Sequence, residues 1–247
     1  MDYVKGVKGE IDQRPKRFYA QVEISQAEDG WAVMLDGRVV RTPGGKRLQL
    51  PTEALAHLIA DEWRAQGERI DLASMYNTRR AYGVVDRPAD VRQRLVDQCV
   101  RYAGTDLVCY LADRPEELRK RQHEAWAPMR AWASEQHGVT LSAVMGILPV
   151  DQPASSLEAV RRHAEMLDDF KFDALVAAVS LTGSAVLGLA VERRRLSAEE
   201  AFEISRIDEL FQNERWGEDG EAAKRTTNQK LEAKALDQWL DALAAAQ

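Results

Sequence analysis

The side chains able to do chemistry in this chain are four histidines, two cysteines and many carboxylates, and their spacing decides what they can do. His57, His123, His137 and His163 are scattered. No two have the His-Glu-x-x-His or His-x-His spacing that brings two imidazoles onto one metal ion. Three fall within predicted helices and His137 precedes Gly138, so solvated or capping roles are expected. Cys99 and Cys109 fit no zinc pattern and read as small core residues of a reducing compartment. Gly44-Gly45-Lys46 lacks the rest of a phosphate-binding loop. Gly183 and Gly188 have that loop's glycine spacing, but Leu189-Ala190 stand where it needs Lys-Ser/Thr. There is no Gly-x-Ser-x-Gly nucleophile motif, and no carboxylate pair stands out for acid–base work. The expectation is a protein that is not an enzyme, with no cofactor, no metal and no small-molecule substrate. The alternative is a small-molecule enzyme with a carboxylate-lined cleft between two domains, where ligands commonly sit.

One predicted helix, AFEISRIDELFQNERWG from Ala201 to Gly217, carries a patterned set of side chains. Ile204, Ile207, Leu210 and Phe211 form its apolar stripe, with Asp208 at the edge. Glu209, Gln212 and Trp216 share a second face, at spacings that stack on a helix, and Gly217 ends it. An acid, an amide and an indole in line make a recognition surface, because tryptophan anchors interfaces well. In the plainer reading Trp216 covers the bundle core and the acids are solvated. Spacing alone favours the plainer reading.

These residues need a scaffold. The chain has 247 residues, 45% of them hydrophobic and 30% charged, enough for a substantial core in a globular protein. A net charge of -6 argues against a general nucleic-acid binder. The most apolar stretch, Ala174 to Val191, has no charge and is stopped by charges at both ends. Its serines, threonine and glycines, and the lack of flanking Trp or Tyr, argue for a central buried helix rather than a membrane span. Its small residues would let neighbouring helices approach closely.

Around it the pattern is α+β: a small N-terminal antiparallel β-rich domain, then a larger α-helical bundle. Residues 1–16 read as a flexible tail, 17–70 as the β-rich domain with one helix, and 71–247 as the bundle. From Arg17, Phe18, Ala20, Val22 and Ile24 alternate with Tyr19, Gln21 and Glu23. Asp36-Gly37 marks a two-residue hairpin, and Thr52 caps a helix presenting Leu55, Leu58, Ile59 and Trp63 on one face. Later helices are expected near 73–84, 89–103, 114–137, 156–169, 173–193, 198–216 and 225–245. Pro128 should kink or split one of them. Capping boxes are expected at Asp113/Glu116, Ser155/Glu158 and Ser197/Glu200. The single short strand allowed outside 17–50 lies near 139–145. The N-terminus has neither an apolar signal region nor an acid-poor transit composition, so a bacterial cytoplasm is the expected setting.

Several short motifs occur in a fixed order: Arg17-Phe18-Tyr19, Leu35-Asp36-Gly37-Arg38 with Thr42-Pro43, LPTEALA at 50–56 and DEWRAQ at 61–66. Thr105-Asp106 with Cys109-Tyr110, Trp126-Ala127-Pro128 and SRIDELFQNERWG at 205–217 complete the series. Together they resemble the ATP-twelve family of assembly chaperones for the catalytic head of ATP synthase, over nearly the whole chain. The resemblance implies a small α+β domain followed by an orthogonal helical bundle. It also implies a non-enzymatic role: binding the unassembled alpha subunit, preventing its aggregation, and yielding it when the beta subunit assembles. In eukaryotic relatives the setting would be the mitochondrial matrix. Carried over by position, the family's partner-binding acid falls on Asp208 beside Glu209, its Gln on Gln212 and its Trp-Gly on Trp216-Gly217. Its Glu-Trp pair falls on Glu62-Trp63, expected to join the two domains. The family's Met-x-x-Thr appears as Met75-Tyr76-Asn77-Thr78. Its His-Asp after the Trp-Gly has no histidine counterpart, since Glu218-Asp219-Gly220-Glu221 stand there.

Overall fold

The structure, a computed structural model, describes residues 12–217 and 220–245. A four-stranded antiparallel sheet forms first, from β1 (Val22–Ala27), β2 (Gly30–Leu35), β3 (Arg38–Val39) and β4 (Gln49–Leu50). β2 is central: β1 pairs along one side, and β3 and β4 lie end to end along the other. Asp36 (φ 46°) and Gly37 (φ 74°) make the expected hairpin turn, whose two central residues both need positive φ. The Asp36 carboxylate accepts the Ala20 and Gln21 N–H groups and its N–H donates to Gln21 O, so the chain leaves the ladder before Gln21. The alternation expected from Arg17 is therefore reversed at its start: Tyr19 is buried and Phe18 is 71% exposed. Residues 12–16, expected as the end of the tail, run beside 66–71, with Ile70 N–H donating to Pro15 O and Arg17 N–H to Glu68 O. The rest of the expected tail lies outside the described residues.

α1 (Glu53–Arg64) lays Leu55, Ile59 and Trp63 on this sheet. Thr52 caps it as expected: its Oγ1 accepts the Leu55 N–H at 3.0 Å. The same hydroxyl donates to Ala242 O, near the other end of the chain. The helical part follows as α2 (Tyr76–Asp86), α3 (Ala89–Gly104), α4 (Glu116–His137), α5 (Ala154–Met166), α6 (Asp169–Thr182), α7 (Ala185–Glu192), α8 (Ala198–Ser205), α9 (Ile207–Trp216) and α10 (Gly220–Ala244). A parallel pair, β5 (Tyr110–Leu111) and β6 (Val144–Met145), lies between them. β6 falls where a short strand was allowed. β5 was not foreseen, because two residues carry no period.

α4 runs unbroken through Pro128, contrary to the expected split. Pro128 is exposed, so the Glu124 carbonyl it leaves without an N–H partner faces water. Of the three expected capping boxes only Ser197/Glu200 forms. α4 and α5 instead start behind Pro115 and Pro153, whose fixed φ sets the chain direction without a side-chain cap.

The apolar segment 174–191 is two helices, not one. Gly183 takes the left-handed conformation (φ 69°) and ends α6, and the Ser184 hydroxyl accepts the Leu187 N–H to start α7. Every residue of α7 is buried, so the expectation of burial holds while continuity does not. The break folds α7 back on α6. A Cβ on Gly188 would lie 2.3 Å from Val179 Cγ2 and 3.1 Å from Val179 N, so only hydrogen fits between the helices. Gly188→Val should cost about 3 kcal/mol, since backbone on the facing helix has to move. A urea midpoint lowered at unchanged m-value would register it, and an unchanged midpoint would show that α6 and α7 are free to separate. No described helix is long and apolar enough to cross a membrane.

The 198–216 helix is also broken. The Arg206 N–H bonds back to Glu203 O and the Ser205 hydroxyl to Phe202 O, closing α8 and letting α9 leave in a new direction.

Candidate functional site

α9 lies on α4 and is fixed there by charge and one aromatic ring. Phe211 is the buried residue of α9. Arg215 and Arg121 cover its ring, with guanidinium carbons 4.0 and 5.2 Å from the centroid. Arg121 also pairs with Glu117 and Glu214, and Arg215 reaches Glu117 at 3.1 Å, tying α9 to the first turns of α4. This clamp determines which faces of α9 are left for solvent.

Asp208 and Glu209 turn out to be different groups. Asp208 is half-buried and accepts the Gln122 side-chain N–H at 2.5 Å. Gln122 is fully buried, and its oxygen takes the Ala112 N–H, which fixes the amide's orientation. Burial raises the Asp208 carboxyl above its ordinary pKa, and the Gln122 bond opposes part of the shift. Its charge, when present, has no cation against it among the described residues. Glu209 is bound by two Arg206 nitrogens, at 2.8 and 2.5 Å. That guanidinium holds its carboxyl below the ordinary value. Arg206 also donates to Thr226 on α10.

Gln212 is exposed and Trp216 is 77% exposed at the C-terminal end of α9, so the plainer reading, in which Trp216 covers the core, is wrong. Leu210, placed in the apolar stripe by spacing, is also 42% exposed. The clamp on Phe211 faces α9 toward α4 with that one ring, leaving Leu210 and Trp216 in water. Gly217 (φ 85°) ends the helix with its N–H on Asn213 O. The acidic residues after it begin outside the described residues.

Glu62 and Trp63 lie away from α9. The Glu62 carboxylate accepts the N–H groups of Asn77 and Thr78 and the Thr78 hydroxyl, each at 2.7–2.8 Å. α2 begins behind Met75, which offers no side-chain cap, so Glu62 of α1 caps α2 from outside. Two motifs far apart in sequence, Glu62-Trp63 and Met75 to Thr78, thus meet through three hydrogen bonds. Trp63 packs edge-on against Tyr19, 5.5 Å between centroids, and the Tyr19 hydroxyl donates to Trp63 O.

Asp106 of the Thr105-Asp106 motif is wholly buried at the start of α7, where it accepts the Val108 and Val186 N–H groups. Sequence reasoning gave Asp106, Gln122 and Arg206 no role. For Gln122 the signal was present: it is an amide on the stripe Leu118, Gln122, Trp126, Met129.

A cleft of about 690 Å³ lies between the sheet and Tyr82 of α2. Phe18, Trp63 and Tyr82 line it together with Arg38 and Arg41. Its one carboxylate, Asp36, is already taken up by backbone N–H groups. This cleft is lined by aromatic and guanidinium groups rather than by the carboxylates that the enzyme alternative expected. No group of three or more His, Cys, Asp or Glu side chains among the described residues is placed to hold a metal.

The ATP12 chaperone protein family matches residues 16–134. A mitochondrial relative from Schizosaccharomyces pombe, protein atp12, is 25% identical over 82% of this chain and 74% of its own length. The crystal structure of Atp12 from Paracoccus denitrificans is similar with a TM-score of 0.84 at 42% identity, covering 91% of this chain and 98% of that one. The Agrobacterium tumefaciens protein Atu1473 is similar with a TM-score of 0.87 at 35% identity, covering 93% and 86%.

Proposed function

The chain belongs to the ATP12 chaperone family, and from that membership we propose that it binds the unassembled alpha subunit of the ATP synthase catalytic head. It keeps that subunit from aggregating and is displaced when the beta subunit assembles, in the cytoplasm of a bacterium. The observation that carries the reading is the outer face of α9. Trp216 and Leu210 are exposed on α9, and Asp208, turned toward α4, is a half-buried carboxylate whose one side-chain partner among the described residues is the neutral amide of Gln122. A client that must be handed on calls for a modest interface with a few anchors, and the exposed Trp216 indole at one end of α9 and the Asp208 carboxylate without a counter-ion near the other supply them. Asp208 is the better acid of the pair, because the Glu209 charge is already compensated by Arg206.

The test is binding of separately purified alpha and beta subunits by calorimetry. Wild type should bind alpha and not beta. Trp216→Ala should weaken binding by about 2 kcal/mol, as for an interface anchor. Asp208→Asn should weaken it by about 1–3 kcal/mol if it meets a cation on the client. Glu209→Gln should have less effect. Since Trp216 touches little of its own protein, its variant should keep the wild-type melting temperature. Equal binding to alpha and beta would sink the proposal, and full affinity in all three variants would move the interface off α9.

A further inference from the structure

The cleft between the sheet and α2 contains no α9 residue, and its chemistry is different. It follows the chain from Leu35 round the hairpin to Arg41, with Phe18, Tyr19, Trp63 and Tyr82 as its other walls. The outer edge of β3 forms part of this lining. Val40 N–H donates to Val33 O across to β2 while Val40 O accepts the Leu48 N–H, so Val40 and Val33 are a pair bonded through the Val40 N–H alone. In an antiparallel ladder such pairs alternate, so the adjacent pair, Val39 with Met34, turns the Val39 N–H and C=O away from β2. No described strand pairs with β3 on that side. A free strand edge with an aromatic wall beside it is the geometry that accepts an added strand.

Charge narrows the occupant. Arg38 and Arg41 are exposed on this edge, and neither pairs with a carboxylate among the described residues. Arg41 spends one N–H on Gly45 O. The edge is therefore basic on a protein whose net charge is -6. Side chains of an extended peptide alternate between two faces. Arg38 and Arg41 line the same cleft as the aromatic rings, so an apolar side chain of such a segment and the carboxylates flanking it would meet one wall.

We infer that the cleft beside β3 is a second docking site, which takes an extended peptide segment of a partner protein with apolar and acidic residues in alternation. The segment adds a strand at the Val39 edge, sets an apolar side chain between Phe18, Trp63 and Tyr82, and pairs its carboxylates with Arg38 and Arg41.

The experiment is fluorescence anisotropy of a fluorescein-labelled heptapeptide, Glu-Val-Glu-Phe-Glu-Val-Glu, titrated with the full-length protein at low salt. Saturable binding is expected. The double variant Arg38→Glu/Arg41→Glu should weaken it about tenfold or more, because two rim attractions become repulsions. The same peptide N-methylated at alternate positions should bind wild type at least tenfold more weakly, having lost the strand hydrogen bonds. A peptide with lysine in place of glutamate should not bind. Absence of saturable binding overturns the inference. So does binding that the double variant leaves unchanged, or that N-methylation leaves unchanged, which would reduce it to charge attraction alone. Should the double variant melt below wild type, the N-methylated peptide on the wild-type protein still decides. A concentration-dependent dimer in sedimentation velocity, lost in the double variant, would assign the edge to a second copy of this chain and also overturn the inference. Because no α9 residue takes part, each of these outcomes is separable from the alpha-subunit reading.

Discussion

Trp63→Arg should lose about 5 kcal/mol of stability, which for a protein of ordinary stability leaves little of it folded. Trp63 is 5% exposed and belongs to the continuous core that joins the sheet to the helices. Removing a buried indole costs about 3–5 kcal/mol in lost contacts and cavity. An arginine in its place adds a charge that must be desolvated without a partner. The surroundings make that worse, because the charges bordering the cleft are Arg38 and Arg41, and Asp36 is already occupied. Trp63→Phe separates the two effects. The indole N–H has no acceptor in the structure, so phenylalanine gives up volume and no hydrogen bond, and should cost about 1–2 kcal/mol. Soluble yield and urea midpoints of the two variants check this. A Trp63→Arg protein unfolding cooperatively near the wild-type midpoint would mean that the side chain has escaped to solvent and that the packing around Tyr19 is slack.

The position of Trp63 was readable in advance because an amphipathic helix advertises its face through spacing alone. The same holds for the hairpin at Asp36-Gly37 and for α7, where an uncharged run has nowhere to go but the interior. Helix breaks were harder. Gly183-Ser184 is a C-terminal glycine followed directly by an N-terminal cap, yet it sits inside an apolar run that reads as one helix. The Arg206 break has no glycine or proline at all; it is made by the Arg206 N–H on Glu203 O and the Ser205 hydroxyl on Phe202 O, which no residue type in the run announces.

The candidate face shows the same limit. Spacing put Asp208, Glu209, Gln212 and Trp216 on one helix, and resemblance to a family gave the set its meaning. Spacing could not separate the two acids, because what separates them comes from elsewhere in the chain. Gln122 arrives from α4 to hold Asp208, and Arg206 sits in the break itself to neutralise Glu209. Nor could spacing show that Trp216 faces water, since the stripe of Ile204, Ile207, Leu210 and Phe211 presumes one straight helix. Likewise Glu62 reads from sequence as a surface acid one residue before a core tryptophan, and becomes a cap only when α2 is brought against it. Polar contacts between elements far apart in sequence leave no periodic trace, and they are what the fold adds.

Asp106→Ala should cost about 4 kcal/mol at neutral pH and abolish one part of the protein's pH dependence. Asp106 is wholly buried and accepts N–H groups from Val108 and Val186. It thereby fixes the start of α7, the most buried helix, to the turn after α3. Alanine would leave those donors buried without acceptors, at about 1–3 kcal/mol for each one stranded. Burial is the larger influence on the carboxyl itself and pushes its pKa up to about 6, against the hydrogen bonds that lower it. The sign follows from linkage. In the unfolded chain the group ionises near pH 4, and in the folded protein only near 6. Between those values the folded state holds a proton that the unfolded state has lost, so this contribution to stability falls as pH rises, and is flat above about 6. The span is about two pKa units, or roughly 3 kcal/mol at most. Asp106→Asn cannot titrate. The stability of wild type relative to Asp106→Asn should therefore decline by about 2 kcal/mol from pH 4 to pH 7, as read from urea midpoints at each pH. The difference between the two proteins is the proper readout, because the carboxyls of Asp86, Asp97 and Glu209 are lowered and lose their stabilisation in the opposite direction, as pH falls. A difference that stayed constant, or grew with pH, would mean that the hydrogen bonds outweigh burial and that Asp106 is ionised throughout.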